Sequence, residues 1–102
     1  LMNEESVSAS EFHVMILRGG ENVTVMGSNS HGTDGNTVFL PLPNKNVVRF
    51  TGLGVYTPEM GQTQRIGLTP DIEVHPTIKG IKEGKDELKE AAVAYIQEQN
   101  TK

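Results

Sequence analysis

Glu5–Phe12 reads ESVSASEF, with serines at 6, 8 and 10 directly ahead of the run HVMILRGG. Ser8 to Glu11 is S-x-x-E, the capping-box pattern. In it the serine oxygen accepts from the amide of residue 11, and the glutamate reaches back to the Ser8 amide. A helix therefore begins here, with a cap worth about 1 kcal/mol. Phe12, Met15 and Ile16 follow at i, i+3, i+4, which predicts the apolar face of that helix, and Gly19-Gly20 stop it. The same geometry also has a chemical reading. A serine where a strand turns into a helix sits at the positive end of the helix dipole, and the amide of Ala9 is then free to donate to an oxyanion. Cap and nucleophile place Ser8 identically; they differ in whether a base lies within hydrogen-bond reach.

Working outward, NVTVMG (residues 22–27) alternates and reads as a strand closed by Gly27. The stretch SNSHGTDGN (28–36) is a loop by composition. TVFLPLP and NVVRFTG flank the turn PNKN and predict a β-hairpin. Gly and Pro recur every few residues through LGVYTPEMGQTQRIGLTPDIEV, which suits short strands and tight turns, with DIEV (71–74) the best strand. LGVYTPEMG (53–61) and GQTQRIG (61–67) are expected to form a surface for an extended peptide, taken up at an exposed strand edge by β-augmentation. Finally DELKEAAVAYIQEQ puts Leu88, Ala91, Ala92, Tyr95 and Ile96 on one side of an amphipathic helix. Helices and strands in this order predict a mixed α/β layer arrangement. A helix following Leu1-Met2 would be fed by a strand beginning upstream, so the 102 residues are expected to be part of a longer protein.

Bulk properties narrow the field. The length suits one small domain, and a net charge of −4 with no Lys/Arg stripe argues against a nucleic-acid surface. There is no Cys, hence no disulfide or thiolate metal site, and no apolar run long enough for a membrane span. His13, His31 and His75 lack metal-ligand spacing. His13 falls at the edge of the first helix's apolar face and should be partly exposed. The 27–36 loop has neither a P-loop ending nor the acidic alternation of an EF-hand.

Taken together, SVSASEF, GSNSHGTDGN, LPLP, FTGLGVYTPEMGQTQRIGLTPDIEV and IKEGKDELKEAAVAYI resemble, over residues 1 to 97, the carboxy-terminal processing (tail-specific) serine peptidases. The resemblance implies that residues 1–102 are the C-terminal portion of a catalytic domain with a partial ClpP/crotonase-like α/β fold. It implies cleavage of exposed C-terminal or unfolded peptide segments, with upstream catalytic and PDZ-type regions as partners in the same protein. A periplasmic or extracytoplasmic location follows from family habit, and no cofactor is expected. Carried over by position, Ser8 matches the nucleophile and Ala9 one oxyanion donor, the second donor lying upstream.

Two positions depart from the pattern. Where relatives place a lysine in a Gly-Lys-Gly turn, this sequence has Thr33, whose hydroxyl is no base near neutral pH. Where the tricorn-type branch places a glutamate that supports an upstream histidine, it has Gln64, which can hydrogen-bond but carries no charge. The base is then expected from upstream residues. His31, two positions before Thr33, is the only histidine near the site and reads first as an ordinary loop residue. A catalytically inactive relative that binds peptides or scaffolds a partner is the alternative that Thr33 and Gln64 support.

Overall fold

Met2 makes a single parallel β-bridge beside the first strand. In the computed structural model, which describes residues 1–102 throughout, Met2 bridges Gly27 in parallel, its N–H donating to Met26 O at 2.9 Å and its carbonyl accepting from Ser28 N–H at 3.1 Å. Strand β1 (Met26–Gly27) pairs in parallel on its other side with β4 (Ile72–Glu73). Helix α1 (Ala9–Arg18) lies between Met2 and β1 in sequence, so the first 27 residues cross over through a helix, as parallel pairing requires.

Strand alternation decides what lies on each side of this small sheet. Met2 and Val25 face α1 and form the buried core with Leu68, with Val14 and Met15 packed against them. Leu1 and Met26 face the other way, against Ala92, Tyr95 and Ile96 of α3 (Glu87–Asn100). The result is helix, sheet and helix in layers, as expected of an α/β chain. The short helix α2 (Ile78–Lys82), capped by Thr77 Oγ1 accepting from Gly80 N–H, was not legible in advance. Its IKGIK core is too brief for periodicity to register.

The predicted hairpin is present as β2 (Thr37–Pro41) and β3 (Val47–Thr51), antiparallel, with Asn44 at φ 67° in the connecting turn. It stands largely clear of the layers, with Val38 alone among its strand residues half-buried. That projection helps give a radius of gyration of 17.6 Å, against roughly 13 Å for a compact domain of about this length.

Two expectations need correcting. The strand predicted over 22–27 is ordered as strand only at Met26–Gly27, because only there are partners available on both sides. The face of α1 turned inward is Glu11, Val14, Met15 and Arg18, one position off the predicted Phe12, Met15, Ile16 set. Phe12 and Ile16 are exposed, as is Ile96 on α3. Arg18 ends that inward face in an ion pair with Asp71, whose other oxygen accepts from Val25 N–H at 2.7 Å. The hydrogen bond from Arg18, then that from Val25, holds the Asp71 carboxyl below its ordinary 3.8.

Gly27 is required by the crossover. Its φ is +132°, and a Cβ there would stand 1.8 Å from Met2 O. Gly27→Ala is expected to destabilise the fold by roughly 3 kcal/mol or more, through overlap with backbone that cannot move aside and through backbone strain. Urea denaturation should show the loss as a lowered midpoint at unchanged slope.

Candidate active site

The chain leaves the Met2 bridge, turns through Asn3–Ser6, and reaches Ser8 at the N-cap of α1. Ser8 adopts φ 52°, ψ −110°, a region that non-glycine residues avoid at about 1–3 kcal/mol. Its side chain is exposed, and no side chain hydrogen-bonds its hydroxyl. Both arms of the capping box are in place, but only the glutamate arm is a full hydrogen bond: Ser8 N–H donates to Glu11 Oε2 at 3.0 Å, while the Ser8 hydroxyl faces the Glu11 amide without completing one. Ala9, the first helical residue, has an N–H with no intrahelical acceptor and no other partner in the chain. A strained, solvent-facing serine therefore stands beside an unused amide at a helix N-terminus.

Glu11 does far more than cap. It is fully buried, and its carboxylate accepts four hydrogen bonds. Oε1 takes the Ser30 hydroxyl and Gly32 N–H (2.7 Å); Oε2 takes Thr33 N–H (2.9 Å) besides Ser8 N–H. One oxygen thus holds the amides of Ser8 and Thr33 together. Burial pushes this carboxyl's pKa up, but the bonds from Ser30, Gly32, Thr33 and Ser8 outweigh it and hold the value below 4.5.

Ser30 carries the network onward. Its hydroxyl accepts from Leu68 N–H at 2.7 Å, and its N–H donates to Leu68 O at 3.1 Å. Gly32 O accepts from Arg65 N–H at 2.7 Å, and His31 N–H donates to Ser6 O at 3.1 Å. Gly67, at φ +78°, lets this crossing close: a Cβ there would lie 2.5 Å from Ser30 O. Three segments distant in sequence, 6–11, 30–35 and 62–68, are locked around a single carboxylate.

Of the residues singled out from sequence, Ser8, Ala9 and Thr33 are brought together. Gln64 lines a cavity with Thr33, its Nε2 beside the Gly35 backbone. His31 is tied to the Ser8 turn through its backbone, while its exposed ring makes no hydrogen bond. His13, exposed, turns Nδ1 to Ala9 O at 2.6 Å and caps nothing beyond its own helix. The segments offered as a peptide edge pair with themselves instead: Tyr56 bridges Gln62, and the turn between closes with Thr57 N–H to Gly61 O at 2.9 Å. Sequence reading saw Glu11 only as a cap partner and passed over Ser30 and Asp34. The available signal was that Glu11 shares a helical face with Val14, Met15 and Arg18.

Comparison with known proteins bears on this arrangement. The family model for peptidase family S41 matches residues 1–74, a span that includes Ser8, Glu11, Thr33 and Gln64. The chain belongs to peptidase family S41. Among S41-related proteins, a carboxy-terminal-processing protease of Bartonella bacilliformis is 34% identical over 86 residues, covering 84% of this chain and 20% of that protein. The chain thus spans about a fifth of that relative. A crystal structure of a Parabacteroides merdae protein, provisionally called a peptidase, superposes with TM-score 0.81 at 34% identity, covering 91% of this chain and 29% of the other. Mature CPAF, solved with lactacystin, superposes at TM-score 0.81 and 20% identity over 98% of this chain and 20% of its own. At that identity CPAF speaks for the fold alone, and the layered α/β expectation holds.

Proposed function

We propose that the chain carries the nucleophile of a serine endopeptidase of the C-terminal processing type, acting on exposed peptide segments. The observation that carries this is the Ser8 backbone: a left-handed, strained turn between strand and helix that presents the hydroxyl to solvent. A helix cap needs no such conformation, and here the hydroxyl does not cap.

In this reading Ser8 Oγ attacks the scissile carbonyl carbon as its proton passes to a base. The carbonyl oxygen, now negative, receives Ala9 N–H and lies at the positive end of α1. Collapse expels the amine, which takes the proton, and water then hydrolyses the acyl-serine ester by the same route in reverse. Glu11 keeps the nucleophile's own amide fixed, so the turn does not relax between steps. Thr33 and Gln64 supply no base, and none contacts Ser8; the base and the second oxyanion donor come from elsewhere in the full-length protein, as does any PDZ-type module. Such an enzyme would work outside the cytoplasm.

A second reading, a peptide-binding relative without catalysis, is favoured by Thr33 and Gln64 standing where relatives carry lysine or glutamate. A fluorophosphonate probe separates the two. The full-length protein should be labelled at Ser8, shown by mass spectrometry of the modified peptide. Failure to label, with peptide binding retained, would establish the inactive relative instead.

A further inference from the structure

Strand alternation gives the β2–β3 hairpin two unlike faces. The cross-strand pairs Val38–Phe50 and Leu40–Val48 stand on one of them, which carries no polar side chain. On the other, Thr37 lies opposite Thr51 and Phe39 opposite Arg49. The Arg49 guanidinium sits 5.1 Å from the Phe39 ring centre, and its Nε donates to the Thr37 hydroxyl at 3.3 Å. That second face suits water, with a charge laid over its aromatic ring. The first does not, yet Leu40, Val48 and Phe50 are all exposed on it. A two-stranded ribbon is marginal in water by itself and becomes stable when its apolar face packs on a further layer.

We infer that this face is seated on an apolar surface of the same polypeptide outside residues 1–102, as a permanent intramolecular contact. Three considerations select that occupant over a second copy. The chain spans about a fifth of its Bartonella relative, so a protein of that kind has most of its surface outside these residues. The face is also small: four partly covered side chains fall well short of the roughly 800 Å² per partner used in a stable association of separate chains. And a ribbon that needs cover to hold its register needs it at every protein concentration, which a tethered surface supplies. The contact would be anchored beside the candidate site. The hairpin springs from the loop whose Gly32 and Thr33 amides Glu11 holds, and Gly52 N–H donates to Asn36 O at 3.1 Å across its base. Nothing in this inference draws on the peptidase reading.

Val47 and Val48 supply the test with its control. They are successive valines of β3, 56% and 43% exposed within residues 1–102, and they point to opposite faces. Residues 1–102 contain no cysteine. Each valine is replaced by cysteine in the full-length protein and labelled with a maleimide under native conditions, the rate being read by mass spectrometry of the β3 peptide. Val48→Cys should label at least about tenfold more slowly than Val47→Cys, because a covered thiol reacts only through local opening. Leu40→Cys, on the same face from β2, should share the protection, and it decides if Val48→Cys does not fold. Protection that is independent of protein concentration supports the inference. Equal rates on the two faces would overturn it. Protection that fades on dilution, with a dimer seen by light scattering, would overturn it too, since the occupant would then be a second copy.

Discussion

Ser8→Ala in the full-length protein is expected to lower kcat for peptide cleavage by about 10⁴-fold or more, the scale seen when a serine nucleophile is removed. Stability should tell a separate story. If Ser8 were only a cap, alanine would cost about 1 kcal/mol and glycine a few tenths, both variants falling below wild type. The structure predicts otherwise, because the hydroxyl does not cap and the backbone sits at φ 52°, ψ −110°. Alanine inherits that strain and should leave stability near wild type. Glycine relieves it, and Ser8→Gly should be as stable as wild type or up to about 1 kcal/mol more so, net of the larger entropy glycine loses on folding. Urea midpoints of the three proteins, alongside their cleavage rates, make the comparison. An inactive but stabilised Ser8→Gly is the signature of a position whose conformation serves chemistry at the expense of stability. A Ser8→Gly protein clearly less stable than wild type would return the residue to its cap.

Glu11→Ala should be the most destabilising single change in the chain's polar network, by roughly 3–5 kcal/mol, because it strands the buried donors of Ser30 and Gly32 and the part-buried amides of Ser8 and Thr33 at once. Glu11→Gln keeps one acceptor oxygen and should cost less, about 1–3 kcal/mol on the same reasoning. The carboxylate also imposes a pH dependence whose sign is determined. Its folded pKa lies below the ordinary 4.5, so the unfolded chain binds the proton more readily. The stabilisation is fully present above about pH 4.5 and is lost as pH falls through the lower, folded value. Denaturation midpoints of wild type should therefore decline below pH 4.5 more steeply than those of Glu11→Gln. Parallel declines would show that other carboxylates dominate the acid limb. Because the same carboxylate grips the Ser8 amide, Glu11→Gln should also lower kcat while leaving KM nearly unchanged, which a purely structural loss would not do.

Local signals and long-range ones separated cleanly in this chain. The start of α1 was readable because a capping box acts within four residues, and the hairpin because PNKN between β-branched runs is a local turn. The start of α3 was readable for the same kind of reason, with Asp86 Oδ1 accepting Lys89 N–H at 3.1 Å. The inward face of α1 was misjudged because hydrophobicity marked Phe12 and Ile16, whereas a buried carboxylate set the orientation. Periodicity counts apolar residues and cannot register a charge buried by design. Asp34 was equally silent, since a carboxylate oxygen buried unpaired within a loop has no pattern.

By itself the sequence determined the elements, their order, and the position of one serine at a helix start, all consequences of bonds and packing among near neighbours. Only the tertiary structure decided that this serine is strained and uncapped. It alone showed that Ser8, Thr33 and the Leu68 segment meet through Glu11 and Ser30, and that an unpaired carboxylate lies alongside. The turn at Ser8 is held between the Met2–Gly27 bridge and Glu11, whose carboxylate grips the Ser8 amide locally and the Thr33 amide at a distance; the bridge and the Glu11–Thr33 bond join residues more than twenty positions apart.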